Sequence, residues 1–159
     1  MVSQRIVVRE GSQVSGARRV VARVAAELAF SEADAGRAAL LTTELATNLV
    51  KHSADGGEIL LHTLTAPDGR RGIELLALDR GPGIPNLTRA LADGYSTAGS
   101  PGTGLGAVSR MASRFEVFSR PGMGTAMLIE VWPRGTDPAG GGQRFSVAAP
   151  RSASPCPYP

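Results

Sequence analysis

A glycine-rich stretch of about 25 residues, Asp79 to Gly104, interrupts a chain of 159 residues whose flanking segments keep clear helix or strand periods. Loops of that length are uncommon in compact domains and usually carry function. Upstream, Gln4 to Arg9 alternates through Ile6 and Val8 as a half-buried strand does. Gly11-Ser12 predicts the cap of a helix through about Ala29, with Val14, Ala17, Val21, Val24, Ala25 and Leu28 at helical spacing. Ser31 followed by Asp34 opens a second helix in capping-box style, and its stripe Ala38, Leu41, Leu45, Leu49 faces a core. Two strands, Glu58 to Leu64 and Gly72 to Leu78, pair across the turn Pro67-Asp68-Gly69.

Downstream of the glycine-rich stretch, Leu105 to Ser113 predicts a short helix. The strands Phe115 to Ser119 and Thr125 to Val131 follow, joined by Arg120-Pro121-Gly122-Met123-Gly124. Helices laid over one face of a mostly antiparallel sheet make an α+β two-layer sandwich.

With 42% apolar and 19% charged residues, the chain has the profile of one globular domain. From residue 134 onward, 9 of 26 residues are Gly or Pro, which predicts a domain over 1–133 and a disordered tail or linker over 134–159. Residues 144–149 are the one part of that tail with strand character. The net charge of +3 also divides there. The tail holds three arginines against Asp137, so residues 1–133 carry 14 bases against 13 acids. A body this neutral lacks the gathered basic face of a nucleic-acid binder. The lone Cys156 forms no internal disulfide, no Cys/His spacing suggests zinc, and no apolar run is long enough for a membrane span. A cytoplasmic protein without membrane or nucleic-acid partners is expected.

Four short elements carry the chemistry. Glu44 and Asn48, four apart on the second helix, share a face at the edge of the core. Asp79 ends a strand and is followed by Gly81 and Gly83; such a carboxylate accepts from an exocyclic amine, and the glycines let backbone approach a flat ring. Gly102-Thr103-Gly104-Leu105-Gly106 leads into a helix, freeing amides to face phosphate oxygens, yet it has neither P-loop nor dinucleotide-fingerprint spacing. Gly124-Thr125 begins the strand expected beside the Asp79 strand end.

In this order the four elements resemble the GHKL ATPase superfamily, which shares the Bergerat nucleotide-binding fold, over about residues 4–132. Glu44-Leu45-Ala46-Thr47-Asn48 looks like its N box, Asp79-Arg80-Gly81-Pro82-Gly83 and Gly102 to Gly106 its two glycine boxes, and Gly124-Thr125 its closing motif. Asp93-Gly94-Tyr95-Ser96-Thr97 looks like the anti-sigma regulatory serine-protein kinases of the RsbT/RsbW type, the RsbT-like switch kinases in particular.

The resemblance implies ATP and Mg²⁺ as cofactors. Asn48 would be the metal ligand, Asp79 with Gly81, Gly83 and Thr125 the adenine end, Gly102, Thr103, Gly104, Leu105 and Gly106 the phosphate loop, and residues 84–106 the lid. Glu44 would be the catalytic residue, orienting or deprotonating the attacking hydroxyl. It further implies a serine on a STAS-domain antagonist as acceptor, in a partner-switching circuit that controls a sigma factor or a PP2C-type phosphatase. Two rivals stay open: an ATP-loaded anti-sigma binding module with little kinase activity, and the ATPase part of a multidomain phosphatase-type regulator. A homodimer stays open as well. On their own residues, His52, Lys51 and Arg110 read as exposed helix positions and Trp132 as a packing residue at a strand end.

Overall fold

The computed structural model describes residues 3–91, 104–134 and 145–147, the last by backbone alone. Five strands, β1 (Ser3–Val8), β2 (Gly57–Thr65), β3 (Arg71–Asp79), β4 (Arg114–Arg120) and β5 (Gly124–Val131), pair antiparallel in the order β1-β2-β3-β5-β4. The long helices α1 (Gly11–Glu27) and α2 (Glu32–His52) pack on one face of this sheet. Two short helices, α3 (Leu87–Leu91) and α4 (Leu105–Met111), lie between β3 and β4 in sequence. The α+β two-layer arrangement is as expected.

The periods in the sequence explain the layering. Leu41, Leu45 and Leu49 of α2 are fully buried, as are Ile59 and Leu61 of β2, Ile73 and Leu75 of β3 and Ile129 of β5. Each such aliphatic side chain contributes about 2 kcal/mol through its removal from water. Asp34 N–H donates to Ser31 Oγ at 3.1 Å, so α2 has the predicted cap. The start of α1 differs: its N-cap is Glu10 rather than Gly11-Ser12, because Gln13 reaches back to accept the Arg9 amide at 2.6 Å. That helix ends at Leu28, where Ala29 turns to φ 57. In the hairpin turn, Gly69 N–H donates to the Ala66 carbonyl at 2.9 Å.

One element departs from the sequence expectation. Helix α3 forms inside the glycine-rich stretch, because Asn86 Oδ1 caps it by accepting from the Arg89 amide at 2.9 Å. Within the stretch 144–149 that has strand character, Phe145–Val147 forms β6, paired parallel to β4 with Phe115 opposite Phe145. A buried ion pair ties the end of the body down: Arg37 bonds Asp34 at 3.2 Å, the Met111 carbonyl at 3.2 Å and the Trp132 carbonyl. Trp132 packs over Gly72 at the start of β3, and its Nε1 donates to Glu130 at 2.9 Å.

Candidate nucleotide site

One row crosses the sheet at the strand ends nearest the C-terminus of α2: Val8, Gly57, Asp79, Thr125 and Ser119 are successive register partners. Asp79 shares a face with Ile73, Leu75 and Ala77, and Thr125 with Met127 and Ile129, so both lie on the helix side of the sheet. The Asp79 strand end and Gly124-Thr125 therefore meet as expected. Asp79 Oδ1 accepts the Gly81 amide at 2.7 Å, the bond that turns the chain out of β3. Its Oδ2 takes no hydrogen bond from the described residues.

The glycines after Asp79 make room for protein backbone. A Cβ on Gly81 would stand 2.4 Å from the His52 carbonyl oxygen, so this loop is pressed against the end of α2. Gly83 has φ 74 and Gly124 has φ 90, left-handed values that suit only glycine. A Cβ would come within 2.2 Å of the Arg120 oxygen at the first and 2.1 Å of the Asp79 oxygen at the second. Gly122 N–H donates to the Pro82 carbonyl at 2.8 Å, and Ile84 N–H donates to Ser119 Oγ at 2.8 Å. The loop after β3 and the turn between β4 and β5 are thus locked together.

Asn48 stands one helical turn, about 6 Å along the axis, before His52, and Glu44 one turn further back. Both are half-buried beside the core residues Leu45 and Leu49. Burial pushes the Glu44 carboxyl up from its ordinary value, while the Lys51 ammonium pulls it partly back. A carboxylate raised in this way is suited to take a proton. Lys51, His52 and Arg110 are exposed.

At the root of the second glycine element, Gly104 caps α4, and Leu105 and Gly106 are buried. Gly106 is needed for packing, since a Cβ there would lie 2.7 Å from the Leu91 carbonyl oxygen at the end of α3. Gly102 and Thr103, like residues 93–97 and Cys156, lie outside the described residues. Sequence reasoning passed over Ser119, whose hydroxyl turns out to be the hub of this strand-end network. Its only signal was the parity of β4, which puts Phe115, Val117 and Ser119 on the buried face.

A family model described as the histidine kinase-like ATPase domain matches residues 8–129. The chain belongs to this family. As a histidine kinase-like ATPase domain it is an ATP-binding module, and the expected kinship with the GHKL ATPases holds. The domain is 36% identical to serine/threonine-protein kinase RsbT of Bacillus subtilis (strain 168) over 121 residues, 76% of this chain and 90% of that protein. Among solved structures, mycobacterial sensor histidine kinase MprB aligns at TM-score 0.44 and 18% identity, over 84% of this chain and 99% of that one. No described helix of this ATPase domain is long and apolar enough to cross a membrane.

Proposed function

We propose that the chain is an ATP- and Mg²⁺-dependent serine-protein kinase whose acceptor is a STAS-domain partner in a partner-switching circuit. The observation that carries this reading is the placement of Glu44 and Asn48 on the helix whose last carbonyl abuts the Asp79-Gly81 turn. A nucleotide recognised at Asp79 would lie beside the end of the helix that carries Glu44 as base and Asn48 as metal ligand. The 36% identity to a serine/threonine-protein kinase supports the same choice.

The residues fit these cofactors. The free Oδ2 of Asp79 suits the amine of adenine. Among the described residues, no three His, Cys, Asp or Glu side chains gather around a common point. Mg²⁺ suits this arrangement, because it is held largely by phosphates and water with one or two protein oxygens, here the Asn48 amide oxygen. Bound Mg-ATP supplies the phosphoryl group. Glu44, its carboxyl raised by burial, would accept the proton of the acceptor serine as the serine oxygen–phosphorus bond forms and the bond to the departing ADP breaks. Gly106, packed against the Leu91 carbonyl at the end of α3, and its neighbour Leu105 would form the base of the phosphate loop. Since phosphoryl transfer depends chiefly on positioning and charge neutralisation, so small a set of groups suffices. Nucleotide binding and transfer need residues 1–133, and the segment beyond is accessory.

The deciding experiment is incubation of the protein with labelled ATP, Mg²⁺ and the STAS proteins encoded near its gene. Label transferred to a serine of one of them is expected. An acceptor that binds in the presence of ATP but takes no label would move the assignment to an ATP-dependent anti-sigma or switch module.

A further inference from the structure

Ser119 Oγ has three polar neighbours, and their chemistry fixes the direction of every bond. The Ile84 amide, at 2.8 Å, can only donate. The Gly124 carbonyl, at 3.1 Å, can only accept, so it takes the single Ser119 proton. The Thr125 hydroxyl, at 2.9 Å, can do either, and one lone pair of Ser119 is left for it. All three contacts are satisfied only when Thr125 donates to Ser119. Ser119 and Thr125 are both more than nine-tenths buried as residues, so bulk water does not relax this choice.

Thr125, with its proton committed to Ser119, presents lone pairs alone. It stands opposite Asp79 in the β3–β5 register, and Asp79 likewise offers an oxygen that only accepts. Two acceptors side by side favour a ring edge that donates, as a 6-aminopurine does, over one that presents a carbonyl there, as a 6-oxopurine does. We propose that Ser119 is a specificity-determining positioning residue of the nucleotide site. By fixing the polarity of the Thr125 hydroxyl and holding the Ile84 amide, it biases the site toward 6-aminopurine nucleotides. This rests on the reading of the Asp79 end as the base-recognition end.

The test measures dissociation constants of ATP and inosine triphosphate by calorimetry for the natural protein, Ser119→Ala, Thr125→Val and the double variant, with melting curves for each. In Ser119→Ala the Thr125 proton is released toward the ligand. The preference for ATP over inosine triphosphate should therefore shrink by about three- to tenfold, the factor expected of one hydrogen bond. In the Thr125→Val background, Ser119→Ala should leave the preference where Thr125→Val alone puts it. Ser119→Thr, which keeps the hydroxyl, should keep the natural preference, and it remains decisive should the alanine variant fail to fold. A Ser119→Ala protein that loses affinity for both nucleotides by the same factor would overturn the proposal, because a merely structural serine does that. Natural protein that binds neither nucleotide would instead bring down the reading of the Asp79 end itself.

Discussion

Asp79 and Thr125 stand opposite each other at the ends of β3 and β5, on the helix-covered face of the sheet. Neither strand could hold its residue there alone. The Asp79 carbonyl lies against the Cα of Gly124, while Asp79 Oδ1 takes the Gly81 amide, so the loop and the carboxylate are set by the same few bonds.

Asp79→Asn is expected to weaken ATP binding by about tenfold or more with the fold intact. The amide oxygen of asparagine can still accept from Gly81, which turns its NH₂ group toward the ligand amine, donor against donor. Calorimetry showing unchanged ATP affinity would remove Asp79 from the site.

Glu44→Gln keeps size and helix packing but cannot take a proton. Phosphorylation of the acceptor should fall by roughly 10²–10⁴ while ATP affinity changes little. A variant at the natural rate, or one that loses ATP binding altogether, would sink the role given to Glu44.

The raised carboxyl of Glu44 also has a signature in stability. Its folded value lies above the unfolded one of about 4.3, so its contribution is fully present below that pH and is lost as pH rises through the folded value. Glu44→Gln should therefore melt higher than the natural protein at neutral pH, with the gap closing below about pH 4. Single-turnover transfer by the natural protein should rise with pH through the same range, since the base must be ionised. Melting curves with no pH-dependent gap would show that burial does not burden this carboxylate.

Asn48→Ala removes the one metal ligand read from α2, so both Mg²⁺-dependent ATP binding and transfer should decline. Titrations with and without Mg²⁺ separate it from Glu44→Gln. If Asn48→Ala loses ATP affinity equally in both titrations, the amide contacts the nucleotide rather than the metal.

Arg37→Ala should destabilise the fold by about 3 kcal/mol, because it leaves the Asp34 carboxylate buried and removes donors from the Met111 and Trp132 carbonyls. A chain ending at Arg134, by contrast, should melt cooperatively within a few degrees of the full chain. The core lies between Val8 and Val131, and β6 adds three residues to an edge. Denaturant curves decide both cases, and a collapse of the shortened chain would make β6 a structural strand.

What could be read from the sequence depended on the range of the forces involved. The stripe Ala38, Leu41, Leu45, Leu49 and the alternation of Ile59 and Leu61 are local patterns with one burial solution each, and the layers followed from them. Asp79 and Gly124-Thr125 were legible as neighbours because a strand end with glycines limits what can lie beside it. Helix α3 was not, since five residues hold too few periods to register and only the Pro85-Asn86 pair announced its cap. Local parity in β4 marks Ser119 as buried but not as a hub: its partners Ile84 and Thr125 lie 35 residues before it and 6 after it.

The interlock of the loop after β3 with the β4–β5 turn decides where this domain can accept foreign sequence. Met123, 69% exposed at the tip of that turn, looks like an obvious graft point, as does the turn at Pro67-Asp68-Gly69. Only the second is free: Gly69 has nothing within 4 Å of a Cβ position, whereas a tag spliced beside Met123 would pull Gly122 from Pro82 and Gly124 from the Asp79 carbonyl. Epitopes, dyes or fusion partners therefore belong on the β2–β3 hairpin, where they can report on the protein without disturbing the strand ends that Asp79, Ser119 and Thr125 share.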